Sequence, residues 1–75
     1  MGRHGSVEEI IVEGEGIRLG QFLQLSQLVD TGGNAKEAIA RGAVSVNGTV
    51  ERRRGCQLQQ GDLITFEERT VRVRY

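Results

Sequence analysis

IRLGQFLQLSQLVDTGGNAKEAIARGAVSVNGTV (residues 17–50) changes its apolar period twice, and those changes decide the fold. From Arg18 onward Leu19, Phe22, Leu23, Leu25, Leu28 and Val29 recur every three or four positions, which predicts an amphipathic helix. DTGGN (30–34) reads as a turn, its two glycines supplying backbone conformations that other residues resist. A shorter second helix follows. Asn34 is its expected cap, Glu37 three residues later suggests a capping box, and Ala35, Ala38 and Ile39 make its apolar face. Gly42 stands where a helix terminator belongs. In AVSVNGTVE (43–51) the period falls to two, and Asn47-Gly48 is a strong hairpin signal. A tight hairpin puts Val46 opposite Thr49 and turns Val50 to the other face, so a bulge or longer turn is expected to return Val50 to the core.

Outward from this unit the chain reads as strands. VEEIIVE (7–13) is a short first strand, broken by Gly14 and Gly16. Gly61-Asp62 turns the chain into LITF (63–66), and EERT (67–70) is a further turn. VRVRY (71–75) alternates strictly, with the valines and Tyr75 inward and Arg72 and Arg74 outward. The expected class is α+β: a two-helix motif packed on one side of a small, mostly antiparallel sheet of four to five short strands. Residues 1–6 are expected to be a flexible tail and residues 7–75 a single domain.

Seventy-five residues with 37% hydrophobic content build one thin core; a chain of this size buries only about 60–65% of its unfolded surface. A deep active-site cleft would consume core that such a domain lacks, which disfavours an enzyme. The single cysteine, Cys56, excludes an internal disulfide and a cysteine-based zinc site, and it fits a reducing, cytoplasmic setting. The arginine two residues before Cys56 and its neighbours could lower its pKa, but a buried or incidental thiol is the expected reading. His4, the only histidine, sits in the polar tail without partners near it in sequence. No apolar run reaches membrane-span length, and GEGIRLG lacks the spacing of a nucleotide loop. No cofactor or metal is expected.

Lys plus Arg (10) equals Asp plus Glu (10), yet the charges are unevenly spread. Glu8, Glu9, Glu13 and Glu15 make the early chain acidic, whereas Lys36, Arg41, Arg52, Arg53 and Arg54 make its middle basic. In a strand Arg53 would face opposite to Arg52 and Arg54 and drive an arginine toward the core, so this triplet is expected to leave the sheet as a loop and aim at one polyanion. Lys36 and Arg41 lie five residues apart, roughly 140° around a helix, and so do not form one row. Arg18 opens the first helix, where the helix dipole disfavours a cation. Phe22 and Phe66 fall on apolar faces, which leaves no platform for stacking bases.

With these features assembled, residues 17–66 resemble the S-four RNA-binding domain, named for the fourth protein of the small ribosomal subunit. The likeness rests on Arg18-Leu19 opening one helix, Ala35-Lys36 and Ile39 in the next, GAVSVNG (42–48) and QQGDLITF (59–66), all at matching spacing. It implies the family's αL motif, with the two helices and the adjoining hairpin forming an RNA surface. Carried over position by position, that surface includes Arg18, Thr31, Lys36, Arg41 and Asn47. The family's aspartate after Arg-Leu is Gly20 here, and its Ser-Arg turn is Thr31-Gly32, which removes one expected phosphate contact. Arg52, Arg53 and Arg54 are expected to supply replacement charge. The resulting expectation is a monomeric, non-catalytic protein binding structured RNA (rRNA or tRNA) and not DNA, through phosphates and shape. The alternative is a protein–protein interaction module docking on an acidic partner, in which acidic residues 8–15 matter equally.

Overall fold

The computed structural model describes residues 7–75, which run in the order β1 (Glu8–Ile11), α1 (Leu19–Leu25), α2 (Gly32–Ala40), β2 (Val44–Val46), β3 (Thr49–Val50), β4 (Leu63–Phe66) and β5 (Arg69–Arg74). The five strands form one sheet in the order β1-β5-β4-β2-β3, antiparallel except for the β1–β5 pair. Both helices pack on one of its faces. Val44, Ile64, Val71 and Val73 are fully buried on that face, against Leu19, Phe22 and Leu23 of α1 and Ala35, Ala38 and Ile39 of α2. The expected class therefore holds. The tail expected over residues 1–6, with His4, lies outside the described residues.

The first helix ends earlier than its periodicity predicts. Ser26 caps it, and Gln27 turns into the left-handed region (φ 62°). Gln27 N–H then donates to Gln24 C=O (3.0 Å) and Leu28 N–H to Leu23 C=O (3.0 Å), the two bonds of a Schellman motif. This tucks Leu28 back onto Leu23, so Leu28 and Val29 are buried although neither is helical. The apolar spacing persists because the closing turn imitates one more helical turn. Leu25, expected on the apolar face, is half exposed.

The second helix starts three residues before the expected position. Thr31, not Asn34, is its cap: Thr31 Oγ1 accepts from Asn34 N–H at 3.1 Å, and both glycines of DTGGN lie inside the helix. Its end is as expected, with Gly42 (φ 79°) in a second Schellman motif: Ala43 N–H bonds Ala38 C=O and Gly42 N–H bonds Ile39 C=O.

The hairpin is the tight one. Asn47 (φ 53°) and Gly48 (φ 86°) both take positive φ, as a type I′ turn requires, and Val46 faces Thr49 while Ser45 faces Val50. No bulge intervenes, so Val50 stays on the face away from the helices, 47% exposed, which corrects the expectation that it rejoins the core. The next hairpin turns on Glu67 and Glu68 alone, and β5 begins at Arg69, earlier than the valine alternation suggests.

Candidate functional site

The loop after β3 decides what the first helix presents to solvent. Glu51 adds one more sheet bond, its N–H to Val44 C=O at 3.0 Å, and the chain then leaves the sheet, as the arginine parity predicts. Arg53 C=O accepts from Cys56 N–H (3.1 Å) to close a turn. The chain then runs back along the start of α1: Leu58 N–H donates to Ile17 C=O (2.9 Å), Leu19 N–H to Cys56 C=O (2.8 Å) and Gly20 N–H to Arg54 C=O (3.1 Å). The last two bonds satisfy donors that open every helix without an intrahelical partner. Gln21 Oε1 adds a bond from Arg18 N–H (3.1 Å). Protein atoms thus close this helix end, and Arg18 is its N-cap by backbone geometry alone. The Arg18 guanidinium reaches across instead, donating from Nη1 to Gly55 C=O at 2.6 Å.

The three consecutive arginines point three ways, which corrects the expectation of a common aim. Arg53 is held by Glu51 through its side chain (Nε–Oε2 2.9 Å, Nη2–Oε1 3.1 Å) and its own N–H (3.0 Å). The Arg52 guanidinium lies on the end of α2, where a Cβ built on Gly42 would meet Nη2 at 2.6 Å; a cation at a helix C-terminus is favoured by the dipole. The Arg54 stem crosses α1 at Gly20. The parity argument correctly removed the segment from the sheet, but the direction of each side chain depends on partners distant in sequence.

The hydrogen bonds from the Arg53 side chain and backbone hold the Glu51 carboxyl down at about 2. A carboxylate lowered in the folded state contributes stability above the ordinary glutamate range and loses it as pH falls toward that value. We expect the Glu51 side-chain carbon resonance to titrate near pH 2 in the wild type and to move up toward the ordinary range in Arg53→Gln. An unchanged midpoint in the variant would contradict the pairing. Burial pushes the Cys56 thiol up, and the Glu51 carboxylate adds to this against a smaller opposing effect of Arg53. The thiol packs against the core and Arg53 is already engaged by Glu51, which agrees with the expected buried thiol and not with a cation-activated one.

Elsewhere the fold sorts the charges of this neutral chain. Along β1 and β5, Arg69 pairs with Glu8 (2.6 Å), while Arg72 (3.4 Å) and Arg74 (3.0 Å) both pair with Glu9. Among the described residues Arg18, Lys36, Arg41, Arg52 and Arg54 form no salt bridge. All five lie on the helices or on the loop beside them. Arg18, Gln21 and Gln24 line a shallow groove with Gly32 and Ala35 of α2 and with Arg54. Lys36 stands four residues after Gly32 and so on the same flank of α2. Arg41 lies on the opposite flank, in a depression with Asp30, Asn34 and Glu37. The structure brings Arg18 and Arg54 together in one groove, puts Lys36 on the flank of α2 that carries Gly32, and leaves Arg41 apart.

The two neutral residues expected at the site have other partners. Thr31 Oγ1 caps α2, so only its hydroxyl proton remains to donate. Asn47 is committed at both ends: Oδ1 accepts from Leu63 N–H (2.9 Å) and Nδ2 donates to Asp62 Oδ1 (3.0 Å). It clamps the hairpin to the start of β4, which takes its side chain out of the candidate surface. Gln21, Gln24 and Gly20 border the groove; sequence reasoning passed over the two glutamines and noted Gly20 only as a departure from the family pattern. The available signal was Gly20, a poor helix former placed inside an otherwise regular helical pattern. Among the described residues no three His, Cys, Asp or Glu side chains converge as a metal site, and no helix is long and apolar enough to cross a membrane.

Comparison with known proteins gives one consistent result. The S4 domain family matches residues 10–74. "Probable ribosome maturation protein RlbA" of Bacillus subtilis is 40% identical over 58 residues, 77% of this chain and 82% of the relative. YbcJ of Escherichia coli is 37% identical over 57 residues. Its solution structure, reported to reveal an αL motif involved in RNA binding, superposes with a TM-score of 0.73 and 29% identity, covering 100% of this chain and 96% of YbcJ. A pseudouridylate synthase crystal structure shares the fold (TM-score 0.62, 33% identity), and the match spans 68% of this chain but only 22% of the synthase.

Proposed function

The chain belongs to the S4 domain family, and from that premise we propose that residues 7–75 act as one non-catalytic domain that binds structured ribosomal RNA in the cytoplasm. The observation that carries the reading is the sorting of charge. Cations on the sheet edge are neutralised by Glu8 and Glu9, whereas Arg18 and Arg54 line one groove, with Lys36 on the adjoining helix α2, and none of the three has a carboxylate partner among the described residues. Guanidinium and ammonium groups held this way suit phosphate oxygens, and a groove without exposed aromatic side chains suits backbone and shape more than base identity. Arg52 and Arg41 extend the positive potential around α2, and Thr31 contributes a hydroxyl at its start. The names of the relatives, one a ribosome maturation protein and one with an RNA-binding motif, support ribosomal RNA over tRNA.

The interaction-module alternative loses support from the same pairing, because Glu8 and Glu9 are engaged within the fold. Affinity purification from cells before and after ribonuclease treatment separates the two readings. The RNA reading expects copurifying ribosomal material to disappear after treatment. Partners that persist unchanged would favour a protein-docking role.

A further inference from the structure

Gly20 is buried in the first turn of α1, and its φ is not in the left-handed region, so no backbone strain calls for glycine. Helix propensity argues against it, since alanine is the better helix former. The reason lies in what crosses above it. A Cβ at this position would meet Arg54 Cγ at 2.7 Å and Cδ at 3.3 Å. These are stem atoms near the main chain, and the Arg54 main chain is itself fixed by the bond from Gly20 N–H to its carbonyl (3.1 Å). The contact cannot be relieved by moving the far end of a flexible side chain. Arg54 would have to take another rotamer and leave the groove.

With glycine present, Arg54 lies in the groove that Arg18 also lines, and the next residue, Gly55, holds Arg18 through its carbonyl (2.6 Å). Consecutive loop residues therefore bring two cations to one groove, and neither forms a salt bridge among the described residues. We propose that Arg18 and Arg54 form a seat for a single phosphodiester group, and that Gly20 is the positioning residue that makes the seat by leaving room for the Arg54 stem. This rests on the RNA-binding reading above and deepens it.

The test is a double-mutant cycle: wild type, Gly20→Ala, Arg54→Ala and the double variant, each titrated with a labelled structured ribosomal RNA fragment at several salt concentrations. Gly20→Ala and Arg54→Ala are each expected to weaken binding about tenfold and to lower the log–log salt slope by about one. The double variant is expected to bind no worse than Arg54→Ala, because the residue through which Gly20 acts is gone. Gly20→Ala binding like wild type, or losses that multiply in the double variant, would overturn the seat and leave the RNA reading intact. A wild type that does not bind RNA overturns both. Should Gly20→Ala lower the melting temperature, removal of the stem in the double variant is expected to restore it to that of Arg54→Ala; a double variant melting as low as Gly20→Ala would also overturn the proposal.

Discussion

Alanine at Arg18, Lys36 and Arg54 together is expected to weaken binding of structured RNA by about a hundred- to a thousandfold at moderate salt and to reduce the log–log salt slope by about two. Each lost phosphate contact is worth about 1–1.5 kcal/mol, below the usual value for charged hydrogen bonds because these side chains are solvated. Three such losses give the range. The counterpart experiment neutralises Arg72 and Arg74, whose charge Glu9 already meets (3.4 and 3.0 Å). That variant is expected to change affinity by less than about threefold. Equal losses in both variants would mean that net charge alone matters and that the spatial sorting of cations does not. Circular dichroism must show both variants folded, since Arg18 also ties the 54–58 loop through Gly55.

Phe22→Ala carries the largest expected effect on stability. Phe22 is fully buried in the core, and it is the largest of the fully buried side chains. Phenylalanine truncation in such a site costs about 3–5 kcal/mol, against a total stability of about 5–15 kcal/mol for a natural domain. At about 4–8 °C per kcal/mol for a domain of this size, the melting temperature should fall by roughly 12–40 °C. Thermal unfolding followed by circular dichroism measures it directly. A drop below about 5 °C would mean that the core closes without Phe22.

The parts of this fold that sequence reading captured depend on residues near one another. The two helices, the Asn47-Gly48 hairpin and the valine alternation of β5 each follow from local periodicity and turn chemistry. Its errors have a common origin. Leu28 and Val29 keep a helical spacing because a Schellman turn folds them back, so periodicity alone does not distinguish the last turn of a helix from its closure. Asn34 and Thr31 are both good caps, and the glycines between them favoured a turn reading that the fold did not adopt. Val50 followed the ideal register of the hairpin, and the exception expected for it was unnecessary.

The site was less legible, for the same physical reason. Arg18 and Arg54 come to share a groove only because residues 54–58 pair with residues 17–20, a contact between distant parts of the chain. The same pairing splits the arginine triplet, sending Arg53 to Glu51 and Arg52 to the end of α2. Net charge also hid the site. Ten cations and ten anions cancel in composition, but Glu8 and Glu9 are used on the far edge of the sheet. Asn47 shows the reverse case: a polar residue in the right motif, taken up entirely by the fold.

The central claim is that this surface binds RNA through phosphates, and its most direct test is the salt dependence of wild-type binding. Affinity for a structured ribosomal RNA fragment, measured between about 50 and 200 mM salt, should fall with a log–log slope of about −3, as expected for about four phosphate contacts. A folded protein whose RNA affinity is absent, or independent of salt over that range, would contradict the account.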